Sequence, residues 1–293
     1  MLPLLSFPTL LLSLALAALI AGGGYRAQAL SGSGAAAALL VGAAVFGLGG
    51  ALWGLLLVFF FVSSSAWSMW REAEKRDAAG RSSKGSRRDA GQVLANGGLG
   101  ALLALLQAAG RAGWIPWLAE VDLLPAYAGL MAAVTADTWA TELGLLSPLP
   151  PRLITTGEAV APGTSGGVTA LGLAAAAAGG LAIGLVAVVG SIAGQLMALR
   201  SLDLALVDTL PLARLAFVSP LAGLASAAAD SYLGATVQAV YKDPRGGQTE
   251  RDSGSSGRHE LLHGWRWMDN DRVNLRAGLL GALLALGLDR LLS

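Results

Sequence analysis

"LLPAYAGLMAAVTADTWATELG", residues 123–144, decides what kind of fold this chain adopts. No charge occurs before Asp137, and the only other charge is Glu142. At 1.5 Å per residue a helix of this length spans about 30 Å, the thickness of a bilayer's hydrocarbon core. The spacing predicts a membrane helix with its polar groups in the last third. A carboxylate inside a span costs about 3 kcal/mol or more, so by default it faces a cavity and has a function. The bland alternative is a structural carboxylate hydrogen-bonded to a neighbouring helix. Asp137 and Thr141 share one face, and Thr138 and Glu142 share another. Asp137 and Glu142 lie about 140° apart around the axis, so together they line only a broad polar mouth.

The rest of the chain agrees with a membrane setting. Of its 293 residues, 54% are hydrophobic and 13% are charged, against about 25% charge in a soluble domain. Its mean hydropathy is +0.61. Spans are expected near residues 2–22, 34–49, 51–69, 93–110, 123–146, 166–198, 212–240 and 275–292. The pair 34–49 and 51–69 reads as two spans or as one helix kinked at Gly49-Gly50, and Gly179-Gly180 offers a division of the over-long 166–198. The fold class is all-α: a polytopic integral membrane protein with seven or eight transmembrane helices. The first apolar stretch has no basic segment before it and is read as a helix, not a cleaved signal. The chain has no cysteine, which excludes disulfides, thiolate catalysis and Cys-ligated metals.

Fourteen of the 20 basic residues fall in two loops. Arg71, Lys75, Arg76, Arg81, Lys84, Arg87 and Arg88 are in one; Lys242, Arg245, Arg251, Arg258, Arg266, Arg272 and Arg276 are in or beside the other. By the positive-inside rule both face the cytoplasm. An even number of spans then separates them, and 93–110, 123–146, 166–198 and 212–240 make four. This favours 166–198 as a single span or a re-entrant pair. The expected organisation is one membrane domain, 1–293, with a basic cytoplasmic loop at 70–92, a Gly-rich one at 147–165 and a second basic one at 241–274. All the polar loops then meet one compartment.

Those loops and the helix ends beside them carry the candidate chemistry. "PRLITTGEAVAPGTSGG" (151–167) ends in Gly163, Thr164, Ser165, Gly166 and Gly167. Such a turn before a helix allows close backbone approach to phosphate, or is merely a tight cap; it lacks the Lys-Ser/Thr ending of a Walker loop. In "RRDAGQVLANGGLG" (87–100) basic residues beside a membrane ordinarily set topology and touch lipid heads, but a buried Asn96 needs partners. In "AAADSYLGATVQAVYK" (227–242) Asp230, Gly234 and Gln238 fall on one helical face, with Ser231 beside them. Asp230 and Asp137 are expected at equal depth on their helices, with no Lys or Arg at that level. That pair suits a divalent cation better than a buried ion pair. In "WMDNDRVNLRAG" (267–278) Asn270 and Asn274 are four apart, facing the same cavity or simply following a capped helix start.

"RHELLHGW" (258–265) places both histidines of the chain, His259 and His263, around Glu260 as in a zinc protease. A working site needs a helix holding both imidazoles on one face, a third ligand and a shielded cleft. Here the motif follows the polar "DSGSSG" (252–257) in a basic loop, which argues against zinc proteolysis.

Taken together, "QVLANGG" (92–98), "ADTWATELG" (136–144), "GTSGG" (163–167), "DSYLGATVQ" (230–238) and "DNDRVN" (269–274) resemble the domain-of-unknown-function 92 family. That family includes plant phytyl-phosphate kinase and the transmembrane protein 19 group. The resemblance covers roughly residues 25–290. It implies transfer of a phosphoryl group from CTP or another nucleoside triphosphate to an isoprenyl monophosphate, with Mg²⁺ as cofactor and the lipid bilayer around it. No nucleic-acid partner is expected. One departure is Ser165, where the family carries Asn; it bears on a side-chain role there and not on the backbone role of the turn. The roles expected are Asp137, Glu142 and Asp230 on Mg²⁺, with Asp137 or Glu142 orienting the acceptor. Arg152, Thr156, the 163–167 turn, Arg87 and Arg88 would meet phosphates, and Asn96, Thr141, Gln238, Asn270 and Asn274 would line the cavity. A carrier without chemistry and a cytidylyltransferase forming a CDP-lipid are the alternatives. Abundant Gly and Ala permit close helix packing, which serves a monomer and a dimer equally.

Overall fold

A computed structural model describes residues 6–78, 87–200, 208–242, 248–250, 252–254 and 257–293. Arg81, Lys84, Arg245 and Arg251 lie outside the described residues. The long helices are α1 (Phe7–Arg26), α2 (Gly32–Ala44), α3 (Ala51–Met69), α5 (Ala90–Arg111), α6 (Leu124–Gly144), α7 (Ala170–Leu199), α8 (Leu210–Thr236) and α9 (Asn270–Leu292); α4 (Glu72–Ala78) is a short helix after α3. A π turn, Val45–Gly49, extends α2. Six of these are long and apolar enough to cross a membrane. The other two, α6 and α9, run antiparallel to each other in the same bundle, with Gly129 against Ala285 and Gly278 against Leu130 and Val134.

Each start has a local cause. Asp89 and Gln92 form a capping box at α5, Thr169 accepts from Gly172 N at 2.9 Å to open α7, and Asp269 accepts from Arg272 N at 2.9 Å to open α9. Such caps satisfy N–H groups that have no partner within the helix. Gly50, at φ +95, lets the chain reverse between the π turn and α3. The two segments are separate helices, not one kinked rod. Gly34, near the start of α2, packs on the Arg88 carbonyl, and Ser65, near the end of α3, accepts from the Arg88 side chain at 2.7 Å. A single helix would hold residues 34 and 65 roughly 46 Å apart.

The helix α7 is one 30-residue element. Its Gly179-Gly180 pair does not divide it. Gly179 packs on Ala136 of α6 and Gly180 on Pro220 of α8, so both glycines serve close helix contact. At the centre lies α6, whose residues from Pro125 to Ala136 are all buried. An apolar helix without a polar face belongs inside the bundle. Tyr127 stacks on Trp53 at 4.2 Å, and its hydroxyl donates to the Trp53 carbonyl at 3.0 Å.

Because the helices alternate in direction, four connections meet at one end of the bundle: 27–31, 70–89, 145–169 and 237–269. At the far end Gln107 ties down the connection into α6, donating to Val121 O at 3.2 Å and accepting from Leu123 N at 2.7 Å. The polar-loop end carries the few strands. Strand β1 (Arg152–Leu153) pairs antiparallel with β2 (Gly167–Val168). The 241–274 region, expected as a loop, contains a three-stranded sheet of order β4-β3-β7, from Gln248–Thr249, Val240–Lys242 and Glu260–His263. A further hairpin joins β5 (Ser253–Gly254) to β6 (Gly257–Arg258).

One expectation fails here. The helix α8 stops at Thr236, so Gln238 is not on the Asp230–Gly234 face. It sits in a turn held by Trp265 N donating to Val237 O at 2.9 Å and Ala239 N donating to Met268 O at 2.8 Å. The His259–His263 stretch is extended, ending in β7. Residues four apart on a strand are separated by roughly 13 Å, so the two imidazoles cannot share a zinc ion.

Candidate functional site

At the polar-loop end a cavity of about 180 Å³ opens between the ends of α6 and α8 and the starts of α7 and α9. Asp137 and Asp230 form its deepest polar lining, with Thr141, Ser231, Gln238, Glu250 and Asn270 around them. Asp137 lies seven residues before the end of α6 and Asp230 six before the end of α8, about 10 Å down each helix. The equal depth expected from the sequence is present, nearer the surface than the spans suggested.

The charges of Asp137, Asp230 and Glu250 act on one another. Asn274, with its amide nitrogen turned toward α8, donates to Asp230 Oδ2 at 3.0 Å. Gln238, only 1% exposed, donates to Glu250 Oε1 at 2.8 Å. Among the described residues neither Asp137 nor Asp230 is paired with a basic side chain, and no Lys or Arg lines the cavity. Asp137 makes no side-chain hydrogen bond there either.

The opposite wall is the 163–167 turn. Gly163 and Gly166 have φ near +80, open to glycine and strained for other residues. Gly166 packs on the α8 backbone at Ala235, and Gly234 leaves room for Ser165 Oγ. Ile154 N donates to Gly166 O and Gly167 N to Thr164 O, both at 3.0 Å. Among the described residues the N–H groups of Gly163, Ser165 and Gly166 donate to no protein acceptor. Beside them stands the N-terminus of α7, with Val168, Thr169 and Gly172 lining the same cavity. Free N–H groups and a helix N-terminus favour an anion.

The structure therefore gathers Asp137, Asp230, Thr141, Gln238, Asn270 and residues 163–167, with Asn274 reaching in through Asp230. It does not bring the rest of the expected set. Glu142 accepts from Ser68 Oγ at 2.6 Å and is bound by Lys75. The 140° turn between residues 137 and 142 carries Glu142 to α3 and α4, away from the cavity, so it is not a ligand beside Asp137. Arg152 donates to Gly157 O at 2.7 Å, and Thr156 donates to Glu158 at 3.4 Å; both brace the loop, and Pro151 lines the cavity instead. Arg87 is exposed and donates to Leu30 O at 3.4 Å. Arg88 and Asn96 line a different cavity, between α1, α2, α3 and α5.

Glu250 is a lining residue that the sequence did not single out. It stands in a polar stretch and reaches the cavity only because β4 folds back on β3.

Among the described residues no three acidic or histidine side chains converge closely enough to hold a metal by themselves. Two carboxylates without a basic partner still fit Mg²⁺, and the free N–H groups opposite them fit the phosphate oxygens that accompany it. That ion usually keeps waters and takes one or two carboxylates plus substrate phosphates.

An α-helical polytopic membrane protein, with one acidic and glycine-walled cavity at the end where its polar loops gather, is the class that fold and site define. The chain belongs to the family described as integral membrane protein DUF92, whose model matches residues 15–282. It is 36% identical over 236 residues to Protein PGR of Arabidopsis thaliana, covering 78% of this chain and 79% of that one. It is 39% identical over 134 residues to the uncharacterized membrane protein MJ0933 of Methanocaldococcus jannaschii, covering 45% of this chain and 50% of the other. No solved structure matches.

Proposed function

We propose that the chain is a lipid phosphotransferase that moves the γ-phosphoryl group of CTP or another nucleoside triphosphate onto an isoprenyl monophosphate. The observation that carries this reading is the pairing of Asp137 and Asp230 at one depth, without a basic partner among the described residues, opposite a turn in which the N–H groups of Gly163, Ser165 and Gly166 meet no protein acceptor there. In the reaction an oxygen of the acceptor phosphate forms a bond to the γ-phosphorus. The bond from that phosphorus to its bridging oxygen breaks, and the nucleoside diphosphate leaves.

Phosphoryl transfer depends on positioning and charge neutralisation more than on covalent chemistry. Mg²⁺ held by Asp137 and Asp230 supplies that neutralisation when bound. The N–H groups of Gly163, Ser165 and Gly166 and the α7 N-terminus cradle phosphate oxygens, Asn274 fixes the Asp230 carboxylate, and Gln238 fixes Glu250. Below Asp137 the α6 segment from Pro125 to Ala136 is buried, and its only side-chain polar groups are the hydroxyls of Tyr127, which donates to Trp53 O, and Thr135. Thr135 donates back to Met131 O at 2.6 Å. A cavity closed beneath its carboxylates favours chemistry on one face over a carrier, which needs access from both. Lys75, Arg71, Arg87, Arg88, Lys242, Arg266 and Arg272 all stand at the polar-loop end, and we assign that end to the cytoplasm, where nucleotides are available.

The test is transfer of label from γ-³²P-CTP, with the other triphosphates in parallel, to phytyl or geranylgeranyl monophosphate by purified protein with Mg²⁺. Labelled isoprenyl diphosphate is the expected product. Product with none of the triphosphates overturns the kinase reading and moves CDP-lipid formation or carriage to the front.

A further inference from the structure

A second cavity lies away from the acidic one. The packing partners of α3 are α6, α7 and the π turn, whereas α1 packs on α2, and α2 on α5. A slot of about 60 Å³ is left between α3 and the α1–α2–α5 group. Two aromatic contacts bound it. Phe61 packs on Gly24 of α1 toward the polar-loop end, and Phe46 packs on Gly54 of α3 toward the far end. Its walls are otherwise apolar, with Ala38, Val41, Leu57 and Phe60. Several of these walls are only half-buried, so the slot is not sealed from the bilayer.

Three polar side chains close its upper end: Arg88, Gln92 and Asn96. The Arg88 guanidinium lies 5.8 Å from both the Phe60 and Phe61 rings. Desolvation pushes its pKa down, opposed by the charge of Glu142. Glu142 itself is bound to Lys75 and Ser68. Of the guanidinium's five N–H donors, only Nη1 has an acceptor among the described residues, Ser65 Oγ. Asn96 has no side-chain partner among them, and Gln92 uses only its carbonyl, accepting from Asp89 N at 3.1 Å. A desolvated cation without a contacting carboxylate, flanked by unused amide donors, is arranged for an anion.

We propose that this slot holds the head-proximal end of a single-chain anionic lipid, with Arg88 meeting its charge and Asn96 and Gln92 donating to its oxygens. The slot takes only the few carbons nearest the head. The remainder of the chain leaves toward the bilayer. The site is separate from the acidic cavity, and binding here requires neither Asp137, nor a cation, nor a nucleotide.

The test is calorimetric titration of the full chain in lipid nanodiscs, with EDTA present and empty nanodiscs as the blank. The probes are geranyl monophosphate, geraniol and inorganic phosphate. Geranyl monophosphate is expected to bind at least about tenfold more tightly than either of the others. Arg88→Gln should remove that preference, and Arg88→Lys should retain part of it. Ala38→Phe, which fills the slot, should weaken geranyl monophosphate, and Asp137→Asn should leave it unchanged. Helical circular dichroism and elution volume check that each variant is folded. Should Arg88→Gln not fold, Ala38→Phe and the three ligands still decide the matter. Equal binding of geraniol, or of phosphate alone, overturns the proposal. So does binding lost in Asp137→Asn and kept in Arg88→Gln, because the lipid would then sit in the acidic cavity.

Discussion

Asp137 and Asp230 are the residues on which the account stands, and their lack of a basic partner among the described residues makes a sharp expectation. Asp137→Asn preserves volume and one acceptor oxygen, so thermal unfolding should shift little while label transfer falls by about 100-fold or more. Lys75 makes the opposite kind of prediction. It is 4% exposed and holds Glu142 against α3. Lys75→Met leaves that carboxylate without its cation and should lower stability by about 2 kcal/mol, with part recovered in Lys75→Met/Glu142→Gln. Thermal unfolding in detergent measures both. The two carboxylates at equal depth were legible in the sequence, because an uncompensated acid in an apolar helix has few uses. The partners of Glu142, Arg152 and Arg88 were not. Which neighbour each side chain meets depends on its direction around the helix and on loop folding, and proximity in sequence to a motif says nothing about either.

At the scale of elements, the 163–167 turn and the α7 cap carry the second prediction. Gly166 combines φ +80 with close contact to Ala235, so Gly166→Val should displace the turn from α8. Transfer should fall by about tenfold or more, with a raised KM for the nucleotide. Thr169→Ala removes the acceptor for Gly172 N and should cost about 1 kcal/mol in unfolding. Helix extents followed from hydropathy and from the Gly49-Gly50 break, because a span has to be long and apolar wherever it packs. The small sheet of 240–263 escaped that reading. Its strands are two to four residues long, too short for an alternation to register, and they form by pairing between segments that are not adjacent in the sequence. Glu250 enters the cavity by that pairing, which is why no local signal marked it.

For the whole molecule, the polar loops share one end, and among the described residues of the far end Gln107 and Asp122 accept from backbone N–H groups at the start of α6. Thr155 is exposed at the polar-loop end and Ala119 at the far end. Because the chain has no cysteine, Thr155→Cys and Ala119→Cys are single labels for a membrane-impermeant thiol reagent. Inside-out vesicles should label the first, and right-side-out vesicles the second. The one-sided arrangement was legible from where the basic residues cluster; the separation of the polar groups into two cavities was not, since it depends on α3 standing apart from α1 and α2. The most direct measurement of the central claim is electron paramagnetic resonance of Mn²⁺, substituting for Mg²⁺, bound to the purified protein with CTP. The account predicts bound Mn²⁺ showing phosphorus coupling in the native chain, lost in Asp137→Asn and in Asp230→Asn. The same bound signal, unchanged in both variants, would contradict it.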